Sequence, residues 1–163
     1  MKKFKLTSEF IVDISGVKLF RIKALIEFGN VKAGDLGGYI EKEENLSHMG
    51  NAWVSGNAQV SGDAQVFGDA RVSGNAWVSG DAWVSGNAQV SGDKDYAYAH
   101  GFGSCNRTTT FFRLKDGDVG VRCGCFYGTL AQFRDNVCET HGETKKAQEY
   151  LMLADLMDFR FKN

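Results

Sequence analysis

Residues 52–93 read AWVSGN-AQVSGD-AQVFGD-ARVSGN-AWVSGD-AWVSGN-AQVSGD, seven consecutive hexads with Ala first, Val third, Gly fifth and Asn or Asp sixth. A helix cannot use this pattern, because each glycine would cost it roughly 1 kcal/mol relative to alanine. An extended chain uses every position. Ala and Val are two apart and share one face, while the Trp, Gln or Arg between them points the other way. Gly followed by Asn or Asp makes a tight corner, since both types tolerate the left-handed backbone region. One hexad is therefore one short strand and one corner. Three hexads close a triangular coil of 18 residues, and successive coils stack as parallel strands roughly 4.8 Å apart.

Weaker copies extend the pattern upstream. Ile40 lies six residues before Leu46, and the stretch from Leu46 to Ala52 reads as a hexad with a two-residue insertion, His48-Met49. Val31 to Ile40 carries the glycine corners of an irregular first coil, so the solenoid is expected over residues 31–100. A stacked solenoid leaves open strand edges at both ends and needs covers. Residues 1–30 supply a β-hairpin cap, Phe10–Ile14 and Val17–Ile26 around Ser15-Gly16. Residues 101–163 form a small ββαα module. Its hairpin, 108–114 and 119–123, turns at Asp116-Gly117. A first helix follows a capping box at Thr129 and Gln132, and a second runs from about Thr144 to Phe159.

The hexads Val54-Ser-Gly-Asn-Ala58 and their companions resemble those of the hexapeptide-repeat left-handed β-helix proteins. The resemblance implies a mainly β fold, a left-handed parallel β-helix with an N-terminal hairpin cap and a C-terminal small α+β module. The period alone leaves a right-handed, bactofilin-like solenoid open. The flanks, Phe20–Leu25, Lys32–Glu41, Cys123–Leu130 and Thr140–Gly142, resemble small phage- and prophage-encoded β-helix proteins. That likeness implies action in the cytoplasm of an infected bacterium.

Composition removes other classes. The 163 residues are 43% hydrophobic and 24% charged with a net charge of −1, enough apolar content for a core and too little basic charge for a general DNA or membrane-surface binder. No run of 18 apolar residues occurs, and the opening MKKFKLTSEFIVD is too interrupted by polar residues for a secretory signal. Four irregularly spaced cysteines read as thiols. Cys123-Gly-Cys125 with Cys105, or with Cys138 and His141, could assemble zinc ligands, but buried thiols are the simpler reading and no metal or cofactor is expected.

The outward residues carry the functional reading. An 18-residue coil sets Trp53, Arg71 and Gln89 on one face, Gln59 and Trp77 on a second, and Gln65 and Trp83 on a third. Three tryptophans on three faces make no flat lattice-binding ladder. They suit burial at a subunit interface or cap, or stacking against a ligand ring. Phe67 adds another outward apolar group. A Trp plate beside Arg71, Arg107, Arg113 or Arg122 suits a nucleotide, with its base on the ring and its phosphate on the guanidinium. The hexapeptide-repeat resemblance implies a homotrimer with ligands in clefts between subunits, and the flanks imply a phage type; with them the expected function is a non-enzymatic protein that sequesters a small host molecule, a nucleotide immune signal, in those clefts. Two alternatives stand beside it. One is an acyltransferase using His48 or His100 as general base; the other is an assembly module that meets a host protein through residues 101–163.

Overall fold

The structure, a computed structural model, describes residues 2–102 and 107–162, the side chains of Asp93 and Arg107 apart. The hexads form seven two-residue strands: β4 (Trp53–Val54), β5 (Gln59–Val60), β6 (Gln65–Val66), β7 (Arg71–Val72), β8 (Trp77–Val78), β9 (Trp83–Val84) and β10 (Gln89–Val90). They pair in parallel with an 18-residue register: Val54 with Val72, Val72 with Val90, Val60 with Val78 and Val66 with Val84. Every hexad Ala and Val is at most 1% exposed. The core is narrow, which is why only small aliphatic side chains fill it. Backbone N–H groups of one coil donate to carbonyls of the next, as from Trp53 to Ala70 and from Ser55 to Val72.

The upstream coil is offset as its insertion requires. Ile40 pairs with Val60 and Leu46 bridges Val66, both 20 residues apart, and the 18-residue register begins at β4. The N-terminal strands β1 (Phe4–Val12) and β2 (Lys18–Ala24) pair antiparallel, and β2 then pairs with β3 (Leu36–Ile40). Because β3 pairs in parallel with β5, the hairpin continues one solenoid face as a five-stranded sheet, β1-β2-β3-β5-β8.

Polar side chains take the place of missing coils. The carbonyls of Gly50 and Ala52 face the open first coil, and the buried Lys3 ammonium donates to both at 3.3 and 2.7 Å. At the neighbouring corner the buried Asn45 amide donates to Gly62 and Ala64 at 3.1 and 2.8 Å. At the other end the Trp83 N–H donates to the Thr110 hydroxyl at 3.0 Å. The Tyr98 and Tyr127 hydroxyls lie over the corners of Gly80 and Gly86, so close that a Cβ on either glycine would strike them.

The C-terminal region differs from the two-strand expectation. Strands β11 (Tyr96–Phe102), β12 (Arg107–Arg113), β13 (Val119–Cys123) and β14 (Phe126–Thr129) form one antiparallel sheet in that order. The expected hairpin is its middle pair. Residues 96–100, read as the end of the solenoid, belong to β11 instead, because the Ala-x-Val hexads stop at β10. The alternating run from Tyr96 pairs with β12 instead. Helix α1 (Leu130–His141) begins at the anticipated Thr129–Gln132 capping box, and α2 (Lys145–Phe161) begins at Thr144. Alternation along β12 joins two cores: Phe112 closes the solenoid core, and Phe111 packs with Val121, Phe133, Val137 and Tyr150 under the helices.

Candidate functional site

Strand β13 projects Arg122 back over the third solenoid face. Its guanidinium lies 5.3 Å from the Phe67 ring centre and 5.6 Å from that of Trp83, and the two rings meet edge-on at 6.1 Å. The buried Nε of Arg122 has no hydrogen-bond partner, and no ion pair forms at this side chain among the described residues. The two rings hold the cation by cation–π attraction, and a guanidinium that lines a cleft without an ion pair suits an anionic group.

Beside this stack opens a cleft of about 370 Å³ lined by Asp63, Gln65, Asp81, Trp83, Thr108, Arg122 and Gly124. Asp63 and Asp81 sit on the same corner of successive coils. Lys42 bonds Asp63 at 2.8 Å, which holds that carboxyl below its usual range and raises the lysine. Asp81 lies 4.0 Å from the His100 ring. His100 in turn contacts Thr108 at 2.7 Å, as their cross-strand pairing dictates. One wall thus offers carboxylate acceptors and the other an indole and a guanidinium. A flat ring with amino hydrogens and an attached anion matches both. A second cleft, of about 540 Å³, shares Gln65, Trp83 and Arg122 and adds Phe67, Ser47 and His48.

The remaining candidates are distributed elsewhere. Trp53, for which burial under a cap was one expectation and ligand stacking another, is 4% exposed, because the Phe28 ring meets it edge-on at 5.3 Å and Gly37 lies against it. Arg71, on the same face, has its guanidinium against Gly29 of the N-terminal arm. Trp77 is 44% exposed on another face and lines a shallow cleft with Tyr96, Tyr98 and Arg160. Arg113 ties the sheet to a helix end: it bonds Asp95 at 3.0 Å and lies over Phe161. Burial pushes the Asp95 carboxyl up, but the Ser91 N–H and hydroxyl and Arg113 outweigh it and leave the group below its usual range. The side chain of Arg107 lies outside the described residues.

His48 has the orienting acid that its sequence context did not reveal. Its Nδ1 accepts the Lys3 N–H at 3.0 Å, so Nε2 carries the proton toward Glu43 at 2.8 Å, and the ring stacks on Phe4 at 4.2 Å. With its one lone pair engaged, this imidazole clamps the N-terminus and is a poor general base. Glu43 is held below its usual range, first by Lys2 and then by His48. Of the thiols, Cys123 is half-buried between Thr109 and Tyr150, Cys125 and Cys138 are exposed, and Cys105 lies outside the described residues. Among the described residues no three His, Cys, Asp or Glu side chains converge as metal ligands.

Sequence reading missed Asp63, Asp81, Thr108 and Gly124. The first two were within reach of it, since they differ by 18 residues. Thr108 and Gly124 join the cleft only through the fold of the C-terminal sheet.

A family model described as the YdcK beta solenoid repeat matches residues 64–80, the stretch that runs from Ala64 to the Gly80 corner. Repeat and structure together define a β-solenoid repeat protein. No curated protein matches the chain. No helix among the described residues is long and apolar enough to cross a membrane.

Proposed function

We propose that this β-solenoid protein is a non-enzymatic binder of a small nucleotide-like ligand, held in the Trp83–Arg122 cleft. The observation that carries the reading is the Arg122 guanidinium, lying over Phe67 and Trp83 and without an ion-pair partner among the described residues, beside the Asp63 and Asp81 carboxylates. The carboxylates and Gln65 accept from amino groups of a base, and Arg122 takes the phosphate. Both walls come from one chain, so the site does not depend on three subunits meeting. The finer readings belong to the same proposal: a left-handed winding, a phage or prophage source and action in the bacterial cytoplasm. They rest on the resemblance of the hexads and their flanks.

Calorimetry and native mass spectrometry on the full chain test it, with adenosine and cytidine monophosphates, cyclic dinucleotides and inorganic phosphate as probes. One nucleotide per chain should bind and be recovered unaltered. Since stacking is worth about 1–3 kcal/mol per base, Trp83→Ala should weaken binding by roughly tenfold or more, and Arg122→Gln should do likewise. Failure of every nucleotide to bind at about 1 mM, or binding indifferent to both substitutions, overturns the proposal.

A further inference from the structure

The corners of the seven hexads carry Asn at 57, 75 and 87 and Asp at 63, 69, 81 and 93. Either residue makes the bend, so the corner itself does not call for a carboxylate. Asp81 stands two residues before Trp83 in the same coil, and both line the cleft. Asp63, one coil away, is held by Lys42 at 2.8 Å. Asp81 has no such partner. Its one ion-pair contact among the described residues is the His100 Nδ1 at 4.0 Å, beyond hydrogen-bond reach, and that nitrogen bonds Thr108 at 2.7 Å. Both oxygens of the Asp81 carboxylate are thus left to accept from a ligand. Gln65 completes the wall: it pairs in register with Trp83, so its amide lies beside the indole on the same face.

A carboxylate with two open oxygens is best matched by two neighbouring donors. Among the common nucleobases only guanine offers them on one edge, N1–H and the 2-amino group, with the O6 acceptor alongside. Adenine and cytosine set a single amino group beside a bare ring nitrogen. Uracil sets a single N–H between two carbonyls. Each of these would hold one carboxylate oxygen against a lone pair. We infer that the cleft selects guanine, an inference that rests on the nucleotide reading above. The base lies on Trp83, its N1–H and 2-amino group donate to Asp81, and its O6 accepts from the Gln65 amide. Arg122 takes the phosphate, as before.

Calorimetry on the full chain with guanosine, inosine and adenosine monophosphates tests the assignment. The guanine nucleotide should bind roughly tenfold to a hundredfold more tightly than the adenine nucleotide. Inosine monophosphate, which lacks only the 2-amino group, should fall between them. Asp81→Asn installs the residue that already turns three other corners, so the fold should persist by circular dichroism. An amide offers one acceptor and one donor, the complement of the adenine amino group and N1. The substitution should therefore weaken the guanine nucleotide by about tenfold or more and bring the adenine nucleotide level with it or ahead. Equal binding of the three nucleotides by the wild type, or a guanine preference that survives Asp81→Asn, overturns the guanine assignment and leaves the nucleotide site standing. Failure of all three to bind at about 1 mM overturns both.

Discussion

Replacing Gly74 by alanine tests how closely the coils stack. Gly74 turns its corner at φ +61°, and a Cβ there would lie 2.5 Å from the Ser91 carbonyl oxygen in the next coil. Gly117, in the β12–β13 turn, has φ +91° and open space around the same added atom. Both substitutions force alanine into the left-handed region, at a cost of about 1–2 kcal/mol. Only Gly74→Ala also pushes two coils apart, by most of an ångström. The bonds that resist are on the spot: Ser73 N to Val90 O at 2.8 Å, and Asn57 N to Gly74 O at 3.0 Å on the other side. Overpacking of this kind adds about 1–3 kcal/mol. Urea unfolding followed by circular dichroism should therefore show a loss of about 3–4 kcal/mol for Gly74→Ala against about 1–2 for Gly117→Ala. At this chain length the two differ by roughly 4–8 °C in melting temperature. Equal losses, within about 0.5 kcal/mol, would refute the stacking of Ser91 on Gly74.

Two further outcomes concern the polar groups that stand in for absent coils. Asn45→Leu strands the Gly62 and Ala64 carbonyls and should cost on the order of 2–3 kcal/mol in urea unfolding, whereas Asn51→Leu, at an exposed corner, should cost far less. Lys3 titrates in the folded chain at about 8 rather than 10.5, chiefly because burial disfavours its charge and Arg71 repels it. Between those values the unfolded chain binds the extra proton, so stability due to Lys3 rises with pH across the window and is at its lowest below pH 8. The rise is on the order of 3 kcal/mol, and it should vanish in Lys3→Met when the two stability–pH curves are subtracted. A flat difference curve between pH 8 and 10.5 would show that the lysine keeps its ordinary affinity for protons.

Much of the scaffold is legible in the chain because its rule is local and repeats. Alternation within one hexad assigns inside and outside, and the Gly-Asn/Asp corner assigns the bend. The sum of three hexads then predicts partners 18 residues apart, as in Trp53 beside Arg71 or Gln65 beside Trp83. The offset of the first coil was readable too, from the two extra residues His48 and Met49. The same arithmetic puts Asp63 and Asp81 on one corner.

What covers each outward side chain obeys no such rule. Trp53 and Trp83 occupy identical places in their hexads, yet Phe28 covers the first and Arg122 lies over the second. Phe28 and Arg122 come from opposite ends of the sequence and reach the prism only after the terminal sheets have folded onto it. The same holds for Lys3 and Asn45, whose side chains replace the N–H groups of a coil that does not exist, and for the Tyr98 and Tyr127 hydroxyls over the last corners. Periodicity is a property of near neighbours and survives in one dimension. The cleft and the caps depend on which distant surfaces meet, and only the assembled chain decides that.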